Sequence, residues 1–185
     1  SGLTRQQIVF LPAGEYLVSD TLAFPKNMGK VEGYQWLYGS GCEKTIIRLR
    51  RASDSGRVLG SASLPRPVVQ TAEYRIDDKK APGNINFQLW VTDLSIVVPE
   101  DQPHAVGLSF GSANMGGVRR VNIRAEGVGG HTGLGMLQYN NGPGYVEDVQ
   151  ITGFKTGLEI SDNWGESYTF RNITVNDQRP GGVGI

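Results

Sequence analysis

The segment Val91-Thr-Asp-Leu-Ser-Ile-Val97 is the first of four similar segments that follow one another at intervals of about 25 residues. The other three are Val118-Arg-Arg-Val-Asn-Ile-Arg124, Val146-Glu-Asp-Val-Gln-Ile-Thr152 and Phe170-Arg-Asn-Ile-Thr-Val-Asn176. Each is followed by a glycine and an aliphatic residue: Gly107-Leu108, Gly133-Leu134, Gly157-Leu158 and Gly182-Val183. A short strand that returns at a nearly constant period, with no helix between copies, is typical of a solenoid. The repeat therefore predicts an all-β fold, a right-handed parallel β-helix with few or no helices.

Within each segment, two aliphatic residues stand two positions apart with a polar residue between them. In a strand such a pair points to one face, which predicts an interior column of Leu94, Ile96, Val121, Ile123, Val149, Ile151, Ile173 and Val175. The intervening Ser95, Asn122, Gln150 and Thr174 should point outward. Stacking also predicts two solvated columns, which read Thr92, Arg119, Glu147, Arg171 and Asp93, Arg120, Asp148, Asn172. Opposite charges on adjacent strands stabilise their pairing by roughly 0.2–1 kcal/mol.

The length of 185 residues favours one domain, a single β-helix over residues 1–185. Further strands are predicted at 8–11, 15–18, 35–38 and 45–49. The stretch 50–86 is polar, and only Val68-Val69 resembles a strand, so we expect a long loop excursion there. A solenoid normally needs capping units. Because the sequence starts on a strand and stops at Gly184-Ile185, we expect a fragment truncated at both ends, or an oligomer partner covering them.

Composition argues against several classes of function. Lys plus Arg equals Asp plus Glu, at 18 each, and no basic stripe with interleaved aromatics occurs, which argues against nucleic acid binding. No apolar run approaches the roughly 18 residues of a membrane-spanning helix. The single cysteine, Cys42, excludes a disulfide framework and is expected in a turn or the core. His104 and His131 are the only histidines, so we predict neither a multi-histidine metal site nor another cofactor.

The N-terminal half resembles the opening coil of the pectate-lyase-like superfamily. The resemblance rests on Val9-Phe-Leu-Pro-Ala-Gly-Glu-Tyr-Leu-Val18, Leu37-Tyr-Gly-Ser-Gly41 and Thr45-Ile-Ile-Arg-Leu49. Proteins of this superfamily are right-handed parallel β-helices, and many of them act on carbohydrates. The resemblance therefore implies the same fold that the repeat predicts.

The second half is similar to the first β-helix of glycoside hydrolase family fifty-five, the exo-β-1,3-glucanases. The similar segments are His131-Thr-Gly-Leu134, Asn141-Gly-Pro-Gly-Tyr-Val-Glu-Asp-Val149, Gly153-Phe-Lys-Thr-Gly157 and Tyr168-Thr-Phe-Arg-Asn-Ile-Thr-Val175. That family carries paired glutamines that help to hold the attacking water where this chain has Glu166-Ser167. Its acid glutamate lies in a second β-helix, which this chain does not contain. The resemblance thus implies a second β-helix as a partner domain for activity.

The segment Glu159-Ile-Ser-Asp-Asn-Trp-Gly-Glu-Ser-Tyr168 carries the candidate chemistry. Glycoside hydrolysis generally needs two carboxyl groups, so Asp162 and Glu166 are the predicted catalytic residues. Trp164 and Tyr168 are predicted to stack on a sugar ring, and His131 to contribute to substrate binding or act as a base. Glu159 alternates with aliphatic neighbours and is expected to be an outward, structural residue.

We therefore predict the β-helix portion of a glycoside hydrolase that acts on an extracellular polysaccharide, either β-1,3-glucan-like or pectin-like. Extracellular localisation follows from the family resemblance. Two alternatives stay open, a calcium-dependent polysaccharide lyase and a non-catalytic glycan-binding or structural module. Calcium dependence and an unsaturated product distinguish the lyase, whereas glycan binding without turnover distinguishes the module.

Overall fold

The computed structural model describes residues 6–27, 30–31, 33–72, 86–137, 141–160 and 167–185. Within these ranges the chain is built from short strands and one four-residue helix. The elements are β1 Gln7–Leu11, β2 Gly14–Val18, β3 Leu22–Ala23, β4 Lys26–Asn27, β5 Lys30–Val31, β6 Gln35–Gly39, β7 Thr45–Leu49, α1 Ala52–Ser55, β8 Arg66–Gln70, β9 Trp90–Val98, β10 Ala105–Ser109, β11 Ala113–Ala125, β12 Thr132–Met136, β13 Gly142–Thr152, β14 Thr156–Ile160 and β15 Tyr168–Asn176.

The strands form a β-solenoid of about five turns. One eight-stranded sheet has the order β1-β6-β9-β11-β13-β15, with β2 and β7 paired alongside, and a five-stranded sheet has the order β14-β12-β10-β8-β3. Both sheets are parallel, and β4 and β5 form a separate antiparallel pair. We number the coils by their strands: β1–β3, β6–β8, β9–β10, β11–β12, β13–β14 and a sixth that starts at β15. The predicted all-β parallel β-helix is confirmed.

The predicted interior column is present. Val121 pairs with Leu94 on one side and Val149 on the other, and Ile123 pairs with Ile96 and Ile151 in the same way. These residues are buried, whereas Ile173 and Val175 on β15 are half-buried. Stacking of identical coils therefore produces one continuous aliphatic core, as the alternating pattern requires.

A bend that the sequence pattern did not predict divides each of the four repeated segments. Its central residues, Asp93, Arg120, Asp148 and Asn172, have φ values of 58°, 49°, 54° and 52°. This left-handed region is one that Asp and Asn tolerate better than most residues. The bend shifts the alternation by one residue, so that Val118 is buried as well as Val121, three positions later.

The side chains of these bends form the predicted charge ladders. Arg120 Nε lies 2.6 Å from Asp93 Oδ1, and Asn172 Nδ2 donates to Asp148 Oδ1 at 2.8 Å. In the neighbouring column Glu147 pairs with arginines of both adjacent coils, Arg119 and Arg171. The Arg120 hydrogen bond lowers the pKa of Asp93, which shows that the ladder stabilises the ionised carboxylate.

A second stack, of glycines, brings the two sheets close together. A Cβ added at Gly107 would overlap Ile123, and one at Gly133 would overlap Ile151. In the last coil this stack continues at Gly184 and not at Gly182, the glycine that follows the fourth segment in the sequence. Val183 pairs with Thr156, and the carbonyl of Gly184 faces Gly157 as the carbonyl of Gly157 faces Gly133. The turn closed by the Gly182 N–H on the Arg179 carbonyl lengthens this connection.

The strands predicted in the N-terminal part correspond to β1, β2, β6 and β7. The predicted excursion at 50–86 is interrupted, because β8 enters the five-stranded sheet beside β10. Residues 73–85 lie outside the described ranges. Cys42 is half-buried in the turn at residues 42–44, as predicted. Among the described residues, no helix is long and apolar enough to span a membrane.

Candidate functional site

The candidate site lies on the five-stranded sheet, where β12 and β14 are neighbours. His131 directly precedes β12, and its main chain is fixed between two other coils. Its N–H donates to the Ala105 carbonyl at 2.7 Å, and its carbonyl accepts from the Thr156 N–H at 2.9 Å. These main-chain hydrogen bonds are those of ordinary parallel strand pairing, and they fix the position of His131 on the sheet.

Thr132 connects His131 to Glu159 through a chain of hydrogen bonds. The Thr132 hydroxyl donates to Glu159 Oε2 at 3.0 Å and lies 2.9 Å from His131 Nδ1. A hydroxyl has only one hydrogen, so donation to the carboxylate requires that Nδ1 of His131 carry the proton donated to Thr132. Thr132 is fully buried, whereas His131 and Glu159 are half-buried. The arrangement therefore orients the imidazole.

Tyr168, the first residue of β15, belongs to a different polar cluster. Its hydroxyl lies 3.0 Å from the Ser112 carbonyl oxygen and 2.9 Å from Asn141 Oδ1. The same Asn141 oxygen accepts the Ser112 N–H at 2.9 Å. Burial raises the pKa of the Tyr168 phenol well above its ordinary value. The phenol is therefore neutral at physiological pH and holds the start of β15 against the connection before β13.

The ring of Tyr168 is half-buried and packs against the core. Phe170, which is 40% exposed, lies next to it with a ring-centroid distance of 6.3 Å. The predicted stacking of Tyr168 on a sugar ring would have to use the accessible part of this aromatic pair. That role stays a prediction.

The other predicted site residues, Asp162, Trp164 and Glu166, lie outside the described residues. The segment 161–166 that contains them connects Ile160, the last residue of β14, to Ser167 before β15. Glu159, a member of the cluster around His131, stands two positions before this segment in the sequence. The roles predicted for Asp162, Trp164 and Glu166 remain untested.

Sequence reasoning missed Thr132 and placed Glu159 outside as a structural residue only. A signal for Thr132 was present, since a threonine precedes the stacked glycine in two successive coils, at Thr132 and Thr156, and these two residues are paired. The approach of Glu159 to Thr132, three positions away along the strands, depends on side-chain orientation. Alternation alone could not reveal it.

The described residues contain no group of three or more His, Cys, Asp or Glu side chains arranged to hold a metal ion. The cluster described above consists of an imidazole, a hydroxyl and a carboxylate connected by hydrogen bonds.

Comparison with known proteins identifies the family. A family model described as rhamnogalacturonase A/epimerase, pectate lyase-like, matches residues 1–185. The chain belongs to this pectate-lyase-like family. The match confirms the predicted superfamily, whereas the finer resemblance to glycoside hydrolase family fifty-five stays a prediction. A search of curated proteins found no match.

A comparison with solved structures found a similar chain. This is ORF18 of Geobacillus virus E2, with a TM-score of 0.46 and 16% sequence identity. The similarity covers 93% of this chain and 32% of the viral chain. The present chain thus spans less than half of that protein.

Proposed function

We propose that the chain is the β-helix portion of a glycoside hydrolase that acts on an extracellular polysaccharide. The observation that carries this proposal is the hydrogen-bonded chain of His131, Thr132 and Glu159. Its Glu159 stands two positions before the segment 161–166, which contains Asp162 and Glu166. Membership of the pectate-lyase-like family over the whole chain supports a carbohydrate as the substrate class.

The proposed mechanism uses the two carboxyl groups that glycoside hydrolysis generally requires, one as the acid and one as the base or nucleophile. Asp162 and Glu166 are the proposed pair. Glu159 and Thr132 hold the imidazole of His131 in one orientation, from which it positions the sugar for cleavage. Trp164 and the accessible part of Tyr168 supply apolar contact to a sugar ring.

The proposed substrate is a pectin-like polymer in preference to a β-1,3-glucan. Two of the three enzyme names in the family description, rhamnogalacturonase and pectate lyase, refer to pectin-type polymers; the third is an epimerase. The departure at Glu166-Ser167, where the exo-β-1,3-glucanases carry paired glutamines, also weakens the case for the glucan. Because such polymers are extracellular, we propose that the protein acts outside the cell.

The test measures the release of reducing ends from pectin, rhamnogalacturonan and β-1,3-glucan by the full-length protein that contains this chain. Glu166→Gln and Asp162→Asn should each lower turnover by about a hundredfold or more, which is the usual contribution of a general acid or base. Thr132→Val, which removes the hydroxyl between His131 and Glu159, should lower turnover and shift its pH profile. Asp54→Asn, on the exposed helix α1, is the matched control and should leave turnover unchanged.

Three outcomes would contradict the proposal. Unchanged turnover in both Glu166→Gln and Asp162→Asn would remove the proposed carboxylate pair. A product that absorbs in the ultraviolet and forms only with calcium would replace hydrolysis with the lyase reaction. Binding of the polymers without any turnover would favour the non-catalytic module.

A further inference from the structure

A groove of about 360 Å³ runs across the outer face of the eight-stranded sheet. His131 and Glu159 belong to the five-stranded sheet, so this outer groove lies on a different face of the solenoid. Nothing in the proposed mechanism uses it. Polar residues of coils two to six line it, together with the aliphatic Ile46, Val97 and Ile123.

The wall at one end of the outer groove comes from an enlarged turn in the second coil. Coils three to six make the corresponding bend with a single left-handed residue, such as Asp93, whereas the second coil uses residues 40–44 between β6 and β7. This turn is pinned on the sheet. Ser95 Oγ donates to the Cys42 carbonyl at 2.5 Å, and Asn122 Nδ2 donates to Glu43 Oε1 at 3.2 Å.

The floor of the outer groove repeats from coil to coil. Ser95, Asn122 and Gln150 are partners in the strand register, and so are Arg124, Thr152 and Asn176 in the next row. Neighbouring strands are about 4.8 Å apart, so the floor extends roughly 14 Å from the third coil to the sixth. A groove with this repeat suits a linear polymer, because the coil spacing is close to the length of one sugar unit.

The side chains on the floor carry hydroxyl and amide groups more than charge. Some of these groups already bond to each other, since Thr152 Oγ1 donates to Asn176 Oδ1 at 2.8 Å. Hydroxyl and amide groups both donate and accept hydrogen bonds, as the hydroxyl groups of a sugar require. Gln150 is exposed, and the described residues provide no hydrogen-bond partner for its amide. The ionic groups are two carboxylates, Glu43 and Asp177, against one guanidinium, Arg124, so the groove carries a net negative charge that disfavours a polyanion.

We propose that the outer groove binds a neutral, linear oligosaccharide of about three sugar units, as an accessory site separate from the candidate catalytic cluster. The enlarged turn at residues 40–44 sets one end of the site, and Asp177 lies at the other. At the centre of the site, the side-chain amide of Gln150 donates hydrogen bonds to the sugar hydroxyl groups and accepts hydrogen bonds from them. Such a site would hold a neutral stretch or branch of a polysaccharide while another part of the polymer reaches the five-stranded sheet.

The experiment uses Cys42, the single cysteine of the chain, as a reporter in the groove wall. The rate at which iodoacetamide alkylates the 185-residue chain is measured with tetramers of β-1,3-glucose, β-1,4-galactose, α-1,5-arabinose and α-1,4-galacturonate. At least one neutral tetramer should slow alkylation in a saturable way, and the galacturonate should not. Gln150→Ala should weaken the resulting Kd about threefold to tenfold, the scale of one neutral hydrogen bond.

Thr169→Ala is the matched control, since Thr169 is an exposed residue of the same sheet outside the groove. It should leave the Kd unchanged. Lack of protection by all neutral tetramers, equal protection by galacturonate, or an equal loss in Thr169→Ala would each overturn the proposal. The assay needs no turnover, and Glu166→Gln should retain the protection, so a failure here is distinct from a failure of the proposed hydrolase activity.

Discussion

Replacement of Ile151 by alanine tests the stacking of the coils most directly. Ile151 is fully buried on β13, with Ile123 of the fourth coil and Val175 of the sixth as its register partners. Its Cγ2 faces the main chain of Gly133, where no side chain is present to move. The substitution therefore removes three carbons from a site with both neighbouring coils in place.

The expected loss of stability follows from this environment. Three buried carbons at about 0.8 kcal/mol each contribute about 2.4 kcal/mol. The cavity adds to this, because the Gly133 backbone cannot collapse into it, so we expect a total of about 3–4 kcal/mol within the usual range for such truncations. Val175→Ala removes two carbons from a half-buried site and should cost only about 1 kcal/mol.

Urea unfolding monitored by tryptophan fluorescence and circular dichroism measures these changes. Trp36 and Trp90, with ring centroids 6.2 Å apart, report on contact between the second and third coils. Gln150→Ala on the same strand is the control, because this exposed residue should change stability by no more than about 0.5 kcal/mol. If Ile151→Ala costs less than about 1 kcal/mol, or no more than the control, the residue does not lie in a packed column and the reasoning is wrong.

Two further predictions concern polar contacts. Tyr168→Phe should destabilise the protein by about 0.5–1.5 kcal/mol, because it removes a hydrogen bond between β15 and the connection before β13 while the Ser112 and Asn141 oxygens keep their backbone donors, and thermal unfolding at neutral pH measures this; an unchanged Tm would contradict it. The lowered pKa of Asp93 means that its contribution to stability is present above the ordinary carboxyl pKa of 3.8 and is lost as the pH falls through the folded value. Arg120→Ala should therefore reduce stability at pH 7 and flatten its decline in acid, and identical acid limbs in both proteins would refute this.

The fold could be predicted in some detail because the repeat is a consequence of packing. The interior column of Leu94, Val121, Val149 and Ile173 requires an apolar residue at the same register position in every coil. This requirement is visible in the sequence as the repeat. The bends at Asp93 and Arg120 were not predicted. A single residue with a left-handed backbone inside a strand does not need a special amino acid composition around it. In the sequence it can be recognised only because it shifts the alternation of apolar and polar residues.

The candidate site was less predictable for a physical reason. Thr132 and Glu159 are 27 positions apart in sequence and meet because β12 and β14 are adjacent and their side chains turn toward each other. In the last coil the glycine stack continues at Gly184, two residues after Gly182, because packing constrains the strand register but not the length of the preceding loop. The outer groove likewise depends on the enlarged turn at residues 40–44, which folds along the solenoid. Local sequence patterns do not predict the direction in which such a turn folds.

The turn at residues 40–44 also has a mechanical consequence. In repeat proteins each unit normally contacts only its immediate neighbours, so stability is nearly a sum of nearest-neighbour terms and single units can open independently. Here Glu43 reaches Asn122, and Arg48 Nη1 reaches Glu126 Oε1 at 2.8 Å, so the second coil is tied to the fourth across the third. The third coil is clamped between them. Coils two to four therefore resist stretching and local opening as one cooperative block.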